Sequence, residues 1–182
     1  MTSEPGHGPV VILLRAVNLG SRNKVPMARL REVLGELGAT DVSTYIQSGN
    51  IICTPPADSQ ELDRAVESAI AAEFGVTTTA VSRTAAELGA ALDAYPFEVV
   101  EPRFAAISFL EHEPDPSLAE ALTARDFGDD LCAVVGRELH LRYLNGVHTS
   151  RLTNAVLARA LGGIEGTARN LRTVQKLVEL SG

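Results

Sequence analysis

Two short polar stretches hold the side chains that could do chemistry. Arg15–Lys24 carries Arg15, Asn18, Arg22 and Lys24; Tyr45–Asn50 carries Tyr45, Gln47, Ser48 and Asn50. The first gathers three cations and an amide around Gly20 and runs into Pro26, a residue suited to the opening turn of a helix. Free N–H groups and the dipole at a helix start favour an anion, and an arginine fork matches a phosphate or carboxylate. The second stretch offers amides and a hydroxyl, which either orient a ligand or satisfy the backbone of their own turn. Arg15 shares one side of a predicted strand with Val11, Leu13 and Val17, so a carboxylate, carbonyls or a bound anion must answer its charge. The Gly-x-x-x-x-Gly-Lys-Ser/Thr spacing of a Walker loop is absent.

A third group stands near the end of the chain. Ser150, Arg151 and Asn154 share one end of a predicted helix just after His148, and Arg169 and Asn170 precede the last helix. Both are helix starts with cations and amides, and simple capping by Ser150, Thr167 or Asn170 is the plainer reading. Catalytic alternatives are thin. There is no His-Glu-x-x-His or Cys-x-x-Cys, and His7, His112, His140 and His148 lack ligand-like spacing, so neither a metal nor a cofactor is expected. Ser48 or Ser150 with His148 forms the one nucleophile–base pairing, with no acid placed to orient the histidine.

Elements that must position these groups follow from periodicity. Val10–Val17 is a β-branched apolar run and predicts a strand buried on both faces. Met27, Leu30, Leu34 and Leu37 recur at helical spacing and end at Gly38. Val42–Gln47 and Asn50–Thr54 predict strands joined by a tight Ser48-Gly49 turn. A helix capped by Asp58 or Ser59 carries Leu62, Val66 and Ile70 and closes at Gly75; Val76–Ser82 gives a fourth strand. That order is β-α-β-β-α-β, the ferredoxin-like unit, in which the first and third strands are neighbours. The loop Asn18–Lys24 and the bend Gln47–Asn50 are therefore expected at one edge.

Thr84-Ala85-Ala86-Glu87 has the form of a capping box opening a further helix. Beyond it come a strand over Phe104–Leu110, a helix over Ser117–Ala124, a hairpin of Leu131–Val135 with Glu138–Tyr143, and two final helices. The expected fold is α+β. It comprises a flexible tail over 1–9, a ferredoxin-like domain over 10–83, and over 84–182 a packed, related but partial α/β unit with two C-terminal helices.

Several runs resemble an uncharacterised bacterial family, domain of unknown function 1697. They are Leu14-Arg15-Ala16-Val17-Asn18, Lys24-Val25-Pro26-Met27, Thr44-Tyr45-Ile46-Gln47-Ser48-Gly49-Asn50, Pro96-Phe97, Ser108-Phe109-Leu110, Ser150-Arg151-Leu152-Thr153-Asn154 and Thr167-Ala168-Arg169-Asn170. Arg151 stands where the family usually has lysine, and Leu171-Arg172 replaces its Trp-Asn. The resemblance implies two packed α/β units and no assigned activity.

Composition bounds the partners. The 182 residues carry a net charge of −7, unevenly spread. Residues 10–54 hold five Lys and Arg against three acids, residues 55–136 hold four against sixteen, and residues 137–182 hold seven against three. Such segregation governs which ligands approach. No apolar run reaches the roughly 18 residues of a membrane span, and residues 1–9 lack the features of a signal peptide, so a cytoplasmic location is expected. Cys53 and Cys132 fall in predicted strands as small hydrophobes. Strands one and three carry no aromatic for base stacking, so nucleic acid is not favoured beyond contact with its backbone. The expected role is binding an anionic or phosphorylated small ligand at the first β-α loop and the hairpin of Val42–Gln47 with Asn50–Thr54. An enzyme acting on a phosphorylated metabolite is the other alternative.

Overall fold

The computed structural model describes residues 8–56 and 59–182. Most of the expected tail over 1–9 lies outside them, as do Asp58 and the Ser59 side chain, the two candidate caps. The chain divides into two units: residues up to Leu88 with Leu177–Gly182, and Gly89–Lys176.

The first unit orders β1 (Val10–Leu14), α1 (Met27–Glu36), β2 (Thr40–Tyr45), β3 (Asn50–Thr54), α2 (Ser59–Phe74) and β4 (Ala80–Thr84). Its antiparallel sheet runs β2-β3-β1-β4, with Val11 opposite Ile52 on one side and Arg83 on the other. β1 and β3 are neighbours, the expected pairing. Every β1 residue is buried. One face, Ile12, Leu14, Ile51 and Cys53, packs with Leu30 and Leu34 of α1 and Leu62, Val66 and Ile70 of α2. Each such buried aliphatic contributes about 1.5–3 kcal/mol. Arg29 of α1 bonds Glu32 and Glu36 on its own helix and reaches Glu73 of α2 at 2.8 Å. Gly38 and Gly75 close the two helices at φ +88 and +64.

Three expectations need correction. β1 stops at Leu14, because Ala16 turns left-handed at φ 55, so Arg15 lies beyond the strand and not on its face. The β2–β3 connection is the four residues Ile46–Gly49, with Tyr45 opposite Asn50, and not a two-residue turn. β4 starts at Ala80; Val76–Thr79 lead into it.

The second unit is no partial copy. β5 (Ala105–Leu110), α4 (Pro116–Thr123), β6 (Leu131–Val135), β7 (Glu138–Arg142), α5 (Asn154–Ala160) and β8 (Gly166–Asn170) repeat the first unit's order of elements. The sheet order, β6-β7-β5-β8, repeats it too. The unforeseen strand is β8. Its buried positions are Thr167 and Arg169, so apolar alternation is missing. The core holds Leu110, Leu122, Leu139, Leu141, Leu157 and Leu161. α3 (Ala85–Asp93) opens on the foreseen capping box. Thr84 N–H donates to Glu87 Oε2 at 2.8 Å, and Glu87 N–H donates to Thr84 Oγ1 at 3.2 Å. The last helix is α6 (Leu171–Ser181).

Candidate functional site

In the first unit the register brings three segments to one end of the sheet. Leu14 closes β1 opposite the first residue of β4, Leu13 lies opposite the first of β3, and Leu14 N–H donates to Gly49 O at 2.8 Å. The loop after β1 is tied down by Asn18. Its amide donates to Val25 O and to Gln47 O, and its Oδ1 accepts from Val25 N–H, all at 2.9 Å. One side chain thus joins the loop's two ends to the hairpin bend, and its left-handed backbone, φ 53, is one an asparagine tolerates. Asn23 adds a bond to Ala16 O, and the Lys24 ammonium donates to Gly20 O.

The bend is held from below. Asn50 is fully buried and donates to Tyr45 O and Ser48 Oγ, each at 3.0 Å, so it shapes the turn and does not face outward. Gly49, at φ +79, sits so close to β1 that a Cβ would lie 2.6 Å from Val17 Cγ2 and 2.7 Å from Leu14 Cβ. Tyr45 ends β2, half-buried. Arg15 is half-buried; its N–H donates to Thr79 O, and its carbonyl accepts from Thr78 Oγ1.

Between loop, bend and helix lies a cleft of about 280 Å³ lined by Asn18, Lys24, Val25, Pro26 and Gln47. α1 begins there, and no side chain caps it. Pro26, just before the first helical turn, lines the cleft, and the half-buried Asn18 with the exposed Lys24 and Gln47 are its polar side chains. Among the described residues neither the Gln47 amide nor the Arg22 guanidinium has a side-chain partner. Such a set is suited to holding an anion.

The C-terminal residues belong to the second unit, and Ser150, Arg169 and Asn170 are bonded within it. Ser150 Oγ accepts from Leu152 N–H at 2.9 Å and makes no bond to His148. Thr153, not Ser150, caps α5, accepting from Val156 N–H. Arg151 and Asn154 are exposed. Arg169 lies in β8 and not at a helix start; it donates to Thr167 Oγ1 and Ala168 O, and burial pulls its pKa down to about 10. Asn170 Oδ1 accepts from Thr173 N–H at the start of α6.

Sequence reasoning missed two features. On α2, Asp63 Oδ2 accepts from Ser82 N–H and Oγ, and Glu67 Oε1 accepts from Ala80 N–H. With Glu87 on Thr84 N–H, every outward N–H of β4 meets a carboxylate. Burial pushes the Asp63 carboxyl up to about 6. The i, i+4 spacing of Asp63 and Glu67 was visible, but their aim at a strand edge was not. In the second unit His140 is fully buried, edge-on to Tyr95 at 5.7 Å, and among the described residues neither ring nitrogen is hydrogen-bonded; burial lowers its pKa and keeps it neutral. Cys53 and Cys132 are buried free thiols, both pushed up to about 11 by burial, which makes them poor nucleophiles. Among the described residues no cluster of metal-binding side chains occurs, and no helix is long and apolar enough to cross a membrane.

The family described as a protein of unknown function, DUF1697, matches residues 8–140. The structure of the conserved bacterial protein SP0830 from Streptococcus pneumoniae is similar over 96% of this chain and 98% of that one, with a TM-score of 0.69 at 20% identity. At that identity the likeness speaks for the fold alone. No curated protein matches the chain.

Proposed function

The chain belongs to the DUF1697 family, proteins of unknown function, and from there we propose that its first unit binds an anionic, phosphorylated small molecule in the cleft beside α1. One observation carries this reading: Pro26, the residue before the uncapped start of a ten-residue helix, lines the same cleft as Lys24 and Gln47. A phosphate there would accept first-turn N–H bonds in a field the helix dipole makes positive, with the ammonium as counter-charge. The Gln47 amide would orient the rest of the ligand, and Arg22 and Arg15 would raise the local potential. Asn18, Ser48, Asn50 and Tyr45 support the reading as the frame that holds loop and bend at fixed spacing. The groups around Ser150 and Arg169 stand outside it.

A thermal-shift panel of nucleotides, sugar phosphates and inorganic phosphate tests this. A ligand at one hundred times its Kd adds about 2.7 kcal/mol, or roughly 5–10 °C for a chain of this size. Wild type should show such a shift, and Lys24→Gln, on an exposed side chain, should lose it while unfolding at the wild-type temperature. Equal shifts in both proteins, or none across the panel, would refute the reading. A response only to RNA or DNA, with affinity falling steeply as salt rises, would move it to a polymer backbone.

A further inference from the structure

Each four-stranded sheet has two edges, and three of the four are blunted. β4 has its outward N–H groups taken by Glu67, Asp63 and Glu87. β2 is polar, exposed and bulged between Thr40 and Ser43. β8 carries a glycine, an arginine and an asparagine among its five residues. Such devices keep strand edges from pairing with other chains. β6, Leu-Cys-Ala-Val-Val, has none: it is apolar, uncharged and in unbroken register with β7.

The register fixes which groups of β6 are unused. The hairpin turns on Gly136-Arg137 with Val135 opposite Glu138, so Leu131, Ala133 and Val135 bond inward to β7. The N–H and C=O groups of Cys132 and Val134 therefore point out of the sheet, and no hydrogen bond reaches them among the described residues. On one face of the same strand Leu131 and Val135 are 38% and 45% exposed. On the other, a groove of about 510 Å³ runs beside α4, lined by Pro116, Ala119, Thr123 and Val134.

We propose that the chain pairs with a second copy of itself along β6, the two strands antiparallel about a two-fold axis at Ala133. Self-pairing is what this strand fits. With Ala133 on the axis, Cys132 and Val134 exchange four hydrogen bonds with their counterparts, and Leu131 of each copy covers Val135 of the other. The turn carrying Arg137 follows one end of β6 and Asp129 and Asp130 precede the other, so antiparallel pairing brings the basic turn of each copy to the acidic end of its partner's strand. A five-residue ladder alone is a small interface. The two-fold, perpendicular to the joined sheet, sets the second copy's α4 on the same face across the axis, where it closes the groove. An unrelated extended peptide would supply the ladder but neither the charge match nor the helix.

Sedimentation velocity of the full chain over a concentration series reads this directly. Wild type is expected to show a reversible monomer–dimer equilibrium. Leu131→Lys alone and Val135→Glu alone, both at exposed positions, should be monomeric. An equimolar mixture of the two should pair again, because the register sets position 131 against position 135. Independently, Ala133→Cys should form a disulfide-linked dimer under mild oxidation, since axis residues in a non-hydrogen-bonded pair stand about 4.5 Å apart at Cα, within reach of a disulfide. A wild type monomeric at every concentration overturns the proposal. So does a dimer indifferent to both charge substitutions and to Ala133→Cys, or a mixture of folded single variants that stays monomeric. A wild-type monomer that captures a synthetic peptide of the β6 sequence overturns self-pairing in favour of peptide binding.

Discussion

Gly49→Ala probes the contact on which the first unit's bend depends, and two other glycines calibrate it. At Gly49 an added Cβ meets a left-handed backbone, φ +79, and two atoms of β1 and its extension at 2.6 and 2.7 Å. The backbone term costs about 1–2 kcal/mol, and forcing a methyl into a packed contact costs roughly another 1–3 kcal/mol. The lower entropy of the unfolded alanine chain returns about 0.4–1 kcal/mol, leaving a net loss of about 2–4 kcal/mol. Gly20, at φ +57 with nothing within 4 Å, isolates the backbone term, so Gly20→Ala should cost about 1 kcal/mol. Gly35, in α1 with open space around it and no left-handed backbone, should gain about 0.5–1 kcal/mol as alanine. Urea unfolding followed by circular dichroism, with equal slopes required for comparison, gives all three differences. If Gly49→Ala falls within 0.5 kcal/mol of Gly20→Ala, the close approach of bend to strand is wrong, and with it the frame of the cleft.

Asn18→Ala removes three hydrogen bonds at about 0.5–1.5 kcal/mol each; it should cost about 2–4 kcal/mol and raise amide exchange at Val25 before the rest of the unit. His140 has a lowered pKa, so the unfolded chain takes up its proton first and stability falls as pH drops through about 6.5. His140→Phe should flatten the loss between pH 7 and 5, and an unchanged slope would refute burial of a neutral ring. Asp63 works in the opposite sense: its folded pKa of about 6 exceeds the unfolded 3.8, so folding binds a proton and stability from this group rises as pH falls between them. Asp63→Asn should remove that rise, on the order of 1–3 kcal/mol, while retaining an acceptor for Ser82 N–H. Thr84→Ala breaks the capping box and should cost about 1 kcal/mol, measured by urea titration.

Much of this protein was legible as pattern. Val10–Leu14, the Leu30–Leu34 stripe, the closing glycines at 38 and 75 and the Thr84–Glu87 box are local signals, because helix period, strand run and cap act over a few residues. Their order suits a sheet in which β1 and β3 pair, and that pairing brings loop and bend together. Assignments that depend on partners distant in sequence were not legible. Arg15 leaves the strand because Ala16 turns left-handed; Asn50 and Asn18 spend their amides on acceptors that only the folded hairpin presents. β8 hides an arginine at a buried position, and Asp63 and Glu67 find their use only where an edge strand lies against α2. Sequence by itself fixed the kinds and order of the elements, since these follow from near-neighbour sterics and apolar period. Tertiary structure alone decided which polar groups were consumed and which were left over, because a hydrogen bond is made only where folding brings its two halves within 3 Å or so.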